Sequence, residues 1–178
     1  EYGLALEAVM VGRRNPDEGR AEFTHFTSGG KVSFFLGETN LEIMALRHYT
    51  DVVTGIGAAG YAGNTAWRAD VTLTVLDEPS RSTRAYISAV ANVDYSWVWF
   101  GKNWYGFVEL YYNGLSHNDM LDGYSDHAVS ERLARGELFA QGPLYASAHL
   151  QVELHPLVNL MVTRIQNLAD GSGVTQPY

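Results

Sequence analysis

RAYISAVANVDYSW, residues 84–97, alternates along its whole length. Ala85, Ile87, Ala89, Ala91, Val93, Tyr95 and Trp97 fall on one side. Arg84, Tyr86, Ser88, Asn92, Asp94 and Ser96 fall on the other, with Val90 the apolar exception. Successive side chains of a strand point to opposite faces, so a period of two predicts one greasy and one wet face. The stretch is also much longer than the ~5–6 residues usual in globular strands.

The pattern repeats outward from there. In AWRADVTLTVL (66–76), Trp67, Ala69, Val71, Leu73 and Val75 oppose Arg68, Asp70, Thr72 and Thr74. In WYGFVELYY (104–112), Trp104, Gly106, Val108, Leu110 and Tyr112 oppose Tyr105, Phe107, Glu109 and Tyr111. In YASAHLQVEL (145–154), Ala146, Ala148, Leu150, Val152 and Leu154 oppose Tyr145, Ser147, His149, Gln151 and Glu153. Residues 2–14 place Tyr2, Leu4, Leu6, Ala8 and Met10 against Glu7 and Arg13, and 41–49 place Leu41, Ile43 and Ala45 against Glu42 and His48. Residues 52–61 read as a low-bulk strand rich in Gly and Ala. Residues 157–167 set Val158, Leu160 and Val162 against Asn159 and Thr163, with Met161 and Arg164 blurring the pattern.

Turn residues separate these runs: Asn15 to Gly19, Gly63-Asn64, Asp77 to Ser82, Gly101 to Asn103, Gly142-Pro143 and His155-Pro156. Residues 20–37 admit two readings, a pair of short strands around a Ser28-Gly29-Gly30 turn or a loop folded into an interior. Residues 113–132 form the one long, polar connection. Within and just beyond it, SDHAVSERLAR (125–135) predicts a short helix with Ser125 as N-cap and Ala128, Leu133 and Ala134 as a thin apolar stripe. The fold predicted for residues 1–178 is a single all-β domain. It is an antiparallel up-and-down meander of about nine to eleven strands that closes into a transmembrane β-barrel or forms part of one.

Composition agrees. Of 178 residues, 46% are hydrophobic and 12% aromatic, but only 18% are charged, below the ~25% of soluble domains. Mean hydropathy is −0.13, and no run of ~18 apolar residues could form a transmembrane helix. Strands that alternate average to just such a value, so a membrane β-barrel stays open. The net charge of −8 disfavours a general nucleic-acid partner, which needs basic patches. With no Cys, disulfides, thiolate chemistry and Cys-ligated metals are excluded. The chain starts at Glu1 with neither Met nor a signal peptide, as a mature product or an excised piece would.

What fills the wet faces separates a soluble barrel from a membrane one. Solvated stripes are usually rich in Lys and Glu; here only Lys31 and Lys102 are Lys, and the stripes hold Arg, Asp, Glu, Ser, Thr, Asn, Gln and Tyr. Charges of both signs alternate, as in Arg68 with Asp70 and Arg135 with Glu137, which suits pairing across a polar lumen. The apolar stripes are rich in Ala, Val and Leu, with Trp67, Tyr95, Trp97, Trp104 and Tyr112 placed as a membrane girdle.

GNTAWRADVTLTVL (63–76), NVDYSWVWFGKNWYGFVELYYNGL (92–115), ERLARGELF (131–139) and LQVELHPLVNLMV (150–162) resemble bacterial outer-membrane β-barrels of the porin-like kind, over roughly residues 41–170. The resemblance implies a Gram-negative outer-membrane location and more strands than this chain offers. It also implies a terminal strand ending on an aromatic. Tyr178 stands at that place, but residues 171–177 lack a strand pattern.

Candidate chemistry is sparse. His117, Asp119, Asp122, Asp126 and His127 cluster in the long loop without EF-hand offsets, as a solvated acidic loop would. No GxSxG elbow occurs, and a set such as Ser147, His149 and Asp94 is not selected by any motif. GIGAAGYAG (55–63) lacks the Lys-Ser/Thr of a phosphate loop. No catalytic residue, metal or cofactor is therefore expected, and no enzymatic activity. The functional candidates are the inward charges Arg68, Asp70, Arg84, Asp94, Glu109, Arg135, Glu137 and Glu153. In a wide barrel they line a pore; in a narrow one they pair and fill it. The leading expectation is a porin-like passive channel for small polar solutes, its partners being the lipid bilayer and those solutes. A structural barrel holding a plug or partner protein is the second. A soluble lipocalin-like barrel with an apolar pocket is the third.

Overall fold

Ten strands make up most of the computed structural model, which describes residues 3–12, 19–20, 26–80, 83–116, 127–136, 138 and 142–178. They are β1 (Leu4–Val11), β2 (Thr27–Leu36), β3 (Thr39–His48), β4 (Asp51–Ala62), β5 (Thr65–Ser80), β6 (Thr83–Trp99), β7 (Lys102–Asn113), β8 (Leu144–His155), β9 (Val158–Asn167) and β10 (Gly173–Pro177). Among the described residues one helix, α1 (His127–Ala134), lies between β7 and β8. The strands follow chain order in one antiparallel sheet, the all-β meander that the alternation predicts. Among the described residues nothing pairs β1 with β10, so the sheet is open along both outer strands.

Register keeps like with like. Ala89 lies opposite Val71 and Tyr112, while Asn92 lies opposite Arg68 and Glu109. A slip of one residue would exchange the faces, so the alternation itself fixes the pairing. The β2–β3, β4–β5 and β6–β7 connections are two residues long, at 37–38, 63–64 and 100–101. Gly37 and Gly63 take positive φ, as do both Phe100 (φ 49°) and Gly101 (φ 67°). Such turns match the twist of the flanking strands. These turns share one end of the sheet with 156–157. The other end carries connections 12–26, 49–50, 81–82, 114–143 and 168–172.

Two expectations are corrected. Ser28, Gly29 and Gly30 are not a turn but lie within β2. Neither glycine has positive φ, and a Cβ on Gly29 would strike Leu46, one on Gly30 the Glu7 carbonyl at 3.1 Å. They are glycines because β1 and β3 approach closely there. Residues 173–177, which lack a strand pattern, form β10. It is an edge strand, where Pro177 needs no ladder partner for its nitrogen. A tight turn brings it back: Asn167 N donates to Ser172 O (2.7 Å), Ala169 N to Asn167 Oδ1 (2.9 Å) and Ser172 N to Asp170 Oδ1 (2.7 Å). The Ser172 hydroxyl and amide hold the Asp170 carboxyl below its ordinary range.

The helix occupies 127–134, and Ser125, its expected N-cap, falls outside the described residues. Gly136, at φ 72°, ends it, its N–H donating to Leu133 O (3.1 Å). Val129 and Leu133, four apart and so on one face, pack with Leu115 and Leu138 against Leu76 and Tyr86 of β5 and β6. This buried apolar cluster sits at the end of the sheet that carries the long connections.

Candidate functional site

The two faces of the sheet have reversed exposure. The apolar stripes are open: Ile56 is 64% exposed, Ile87 49% and Val108 52%. Most of the polar stripe is half-buried or buried, with Thr74 6% exposed, although Glu7, Arg68 and Arg84 are exposed and Val152 on the apolar side is buried. A soluble one-layer sheet would cover its apolar face. Here the covering falls on the polar face because the sheet curls around it. Phe35, Asn40, Ala59, Arg68, Asn92 and Glu109 form one cross-strand row from β2 to β7, and all six line a single cavity of about 460 Å³. The concave side is therefore the polar one. It is the inner face below, and the apolar side is the outer.

Glycine makes room inside. A Cβ on Gly57 would collide with the Asp70 carboxylate, and one on Gly55 would come within 2.8 Å of Met44 and 3.1 Å of Thr72. The low bulk of residues 55–63 lets neighbouring strands project long side chains inward.

The expected inward charges divide. Arg68, Asp70, Asp94, Glu109 and Glu153 stand on the inner face by register, and Arg84 by alternation along β6 from Tyr86. Glu109 accepts from Asn92 Nδ2 (3.3 Å), and Glu153 from Asn103 Nδ2 (2.8 Å). Arg135 does not sit on a strand. It follows α1 in a turn, because the helix runs through Ala134, and its guanidinium lies 4.2 Å from the ring centre of Tyr49. Glu137 lies outside the described residues, as do His25, His117, Asp119, Asp122 and Asp126 and the side chain of His127. Among the described residues no three His, Asp or Glu side chains gather as a metal site.

Several further inner groups lie outside the candidate charges, although the alternation places Glu7, Glu42 and His149 on polar strand faces. Lys31 bridges Glu7 (3.2 Å) and Glu42 (3.3 Å), and Asn40 Nδ2 also donates to Glu42 (3.1 Å). Lys31 lay in the segment with two readings, so its face could not be assigned. Acids outnumber bases here: Glu7, Glu42, Asp70, Asp94, Glu109 and Glu153 against Lys31, Arg68 and Arg84. His149 Nδ1 bonds Thr163 Oγ1 (2.8 Å), and its ring stacks on Phe107 (5.2 Å). Phe107 separates it from Asp94, two strands or ~9–10 Å away, so Ser147, His149 and Asp94 are not assembled as a triad.

At the long-connection end, α1 docks on the inner face. Arg132 Nη2 pairs with Asp51 Oδ2, and the other Asp51 oxygen accepts from Asp77 N (3.0 Å). Arg132 is 4% exposed and Asp51 6%. Tyr49 beside them has φ 53°, a conformation that a bulky L-residue adopts only under constraint. Two arginines thus tie the helix to the β3–β4 turn.

On the outer face, Trp67, Tyr95, Trp97 and Trp104 gather toward the end with turns 37–38, 63–64 and 100–101, and Tyr112 stands toward the other end. Trp97 stacks with Tyr95 (6.0 Å) and Trp104 (6.1 Å). Trp99 joins this cluster against Trp104 (5.6 Å), an aromatic that the shorter expected strand had left out. Among the described residues no helix is long and apolar enough to cross a membrane, which says nothing of strands. No protein-family model, curated protein or solved structure matches the chain.

Proposed function

We propose that the chain forms the wall of an outer-membrane β-barrel in a Gram-negative bacterium, a porin-like passive channel for small polar solutes. The observation that carries this reading is the reversed exposure: the apolar face is convex and largely uncovered, the polar face concave and lining a cavity. Lipid is the solvent that suits the first, water the second. The outer stripe of β6 from Ala85 to Tyr95 spans ~34 Å along the strand. At a tilt of ~45° that is ~24 Å of height, close to the ~25 Å apolar band of outer-membrane barrels. In hydrocarbon no strand edge stays open, so this reading pairs β1 and β10 with each other or with further strands.

A specific observation favours a second reading, a wall that holds a plug. Helix α1 already lies on the inner face, tied by Arg132 to Asp51. The lipocalin-type reading has less support, because the cavity row carries Asn40, Arg68, Asn92 and Glu109 where an apolar ligand needs grease.

Planar-bilayer recording of the folded protein tests the channel. Steady conductance is expected, and a folded, closed barrel that passes no current would leave only the scaffold. A chain that stays in solution without detergent, with no shift in gel mobility on boiling, would overturn the membrane reading altogether.

A further inference from the structure

The outer face is mostly apolar, and β9 departs from that in its second half. Val158, Leu160 and Val162 are followed on that face by Arg164 and Gln166, with Thr175 of β10 beside them. Arg164 lies in register with Ala148 and Thr175. Its Nη1 donates to Thr175 Oγ1 (2.9 Å) and its Nε to Gln166 Oε1 (3.1 Å). Both partners are neutral, and none of the described ion pairs supplies Arg164 with a carboxylate. On a lipid-facing wall such a guanidinium is costly unless it meets a counter-charge or reaches the interface.

We propose that Arg164, steadied by Gln166 and Thr175, selects a net-anionic lipid headgroup through its phosphate, in the leaflet at the long-connection end. The inference rests on the membrane reading above. Position supports it. Arg164 is three residues from the end of β9, or ~7 Å below that rim at a tilt of ~45°. That depth is within the reach of an extended arginine side chain snorkelling to the interface. The guanidinium fork matches phosphate oxygens. Arg47, on the outer face of β3 one residue from its end, adds positive charge at the same rim.

The test folds the protein in maltoside micelles doped with equal amounts of phosphatidylglycerol and phosphatidylcholine, and counts the lipids retained by native mass spectrometry. Retention of phosphatidylglycerol is expected to exceed that of phosphatidylcholine about five-fold. Arg164→Gln should abolish most of the preference, and Arg164→Lys should keep part of it. Should Arg164→Gln fail to fold, Arg164→Met, suited to an apolar face, gives the same readout. Equal retention by a folded, heat-modifiable wild-type protein overturns this inference and leaves the membrane wall standing. A dimer that shields Arg164 and excludes both lipids also overturns it, by making a second copy the occupant. A chain that needs no detergent overturns the wall and this inference together.

Discussion

Asp51→Asn should release helix α1 while leaving the sheet folded. The Arg132–Asp51 pair is buried at both ends, and asparagine keeps an oxygen for the Asp77 amide. The substitution therefore removes charge and little else. Breaking a buried pair from one side costs ~3–5 kcal/mol, and the low end applies because Arg132 has other contacts. The helix is short, eight residues, with Val129 and Leu133 among its packed apolar side chains and Arg135 against Tyr49 beside the pair. The sheet's ladders do not involve it. A loss of ~3 kcal/mol at RT of ~0.59 kcal/mol raises the undocked population ~150-fold. Where opening is fast relative to cleavage, proteolysis tracks that population. Trypsin should cut after Arg132 and Arg135 ~150-fold faster in the variant, with the unfolding temperature of the sheet nearly unchanged. Arg132→Met should do the same at Arg135, and the double variant should fall short of the summed effects. Cleavage no faster than in the wild type would refute the view that this pair holds the helix.

Other consequences can be measured separately. Asp94→Asn with Glu109→Gln removes inner-face carboxylates and should lower the cation-to-anion permeability ratio roughly two- to five-fold, read from reversal potentials. Gly29→Val puts a side chain into Leu46 and the β3 backbone, and should cost ~1–3 kcal/mol, read as a lower gel-shift temperature. The Asp170 carboxyl should titrate below the ordinary carboxylate range by NMR, and Ser172→Ala should move it back up. The sign follows from the depressed value: the turn's extra stability is present above the unfolded-state pKa and lost as pH falls through the folded one.

The strands were legible wherever both faces carried their own chemistry. β5 to β8 alternate legibly because one face is mostly apolar and the other mostly polar, with few exceptions such as Val90 and Phe107. β2 was not legible: Gly29 and Gly30 read as a turn, although they answer to crowding from β1 and β3 that only the paired sheet reveals. β10 was missed because an edge strand of Gly, Val, Thr, Gln and Pro has no face to alternate. The inner charges Arg68, Asp70, Asp94 and Glu109 followed from parity alone. The Asp51–Arg132 pair did not, since its members are 81 positions apart and no local pattern joins them. Arg164 blurred the period of β9 for the same reason that it is informative now, being a charge on the apolar face.

Depth-dependent tryptophan quenching tests the central claim most directly. The chain has four tryptophans, Trp67, Trp97, Trp99 and Trp104, and all four stand on the outer face. In vesicles of bromine-labelled lipid the account predicts strong quenching by bromine near the headgroups, weaker quenching by bromine at the chain ends, and little by aqueous iodide. Tryptophans quenched by iodide and indifferent to brominated lipid would contradict it.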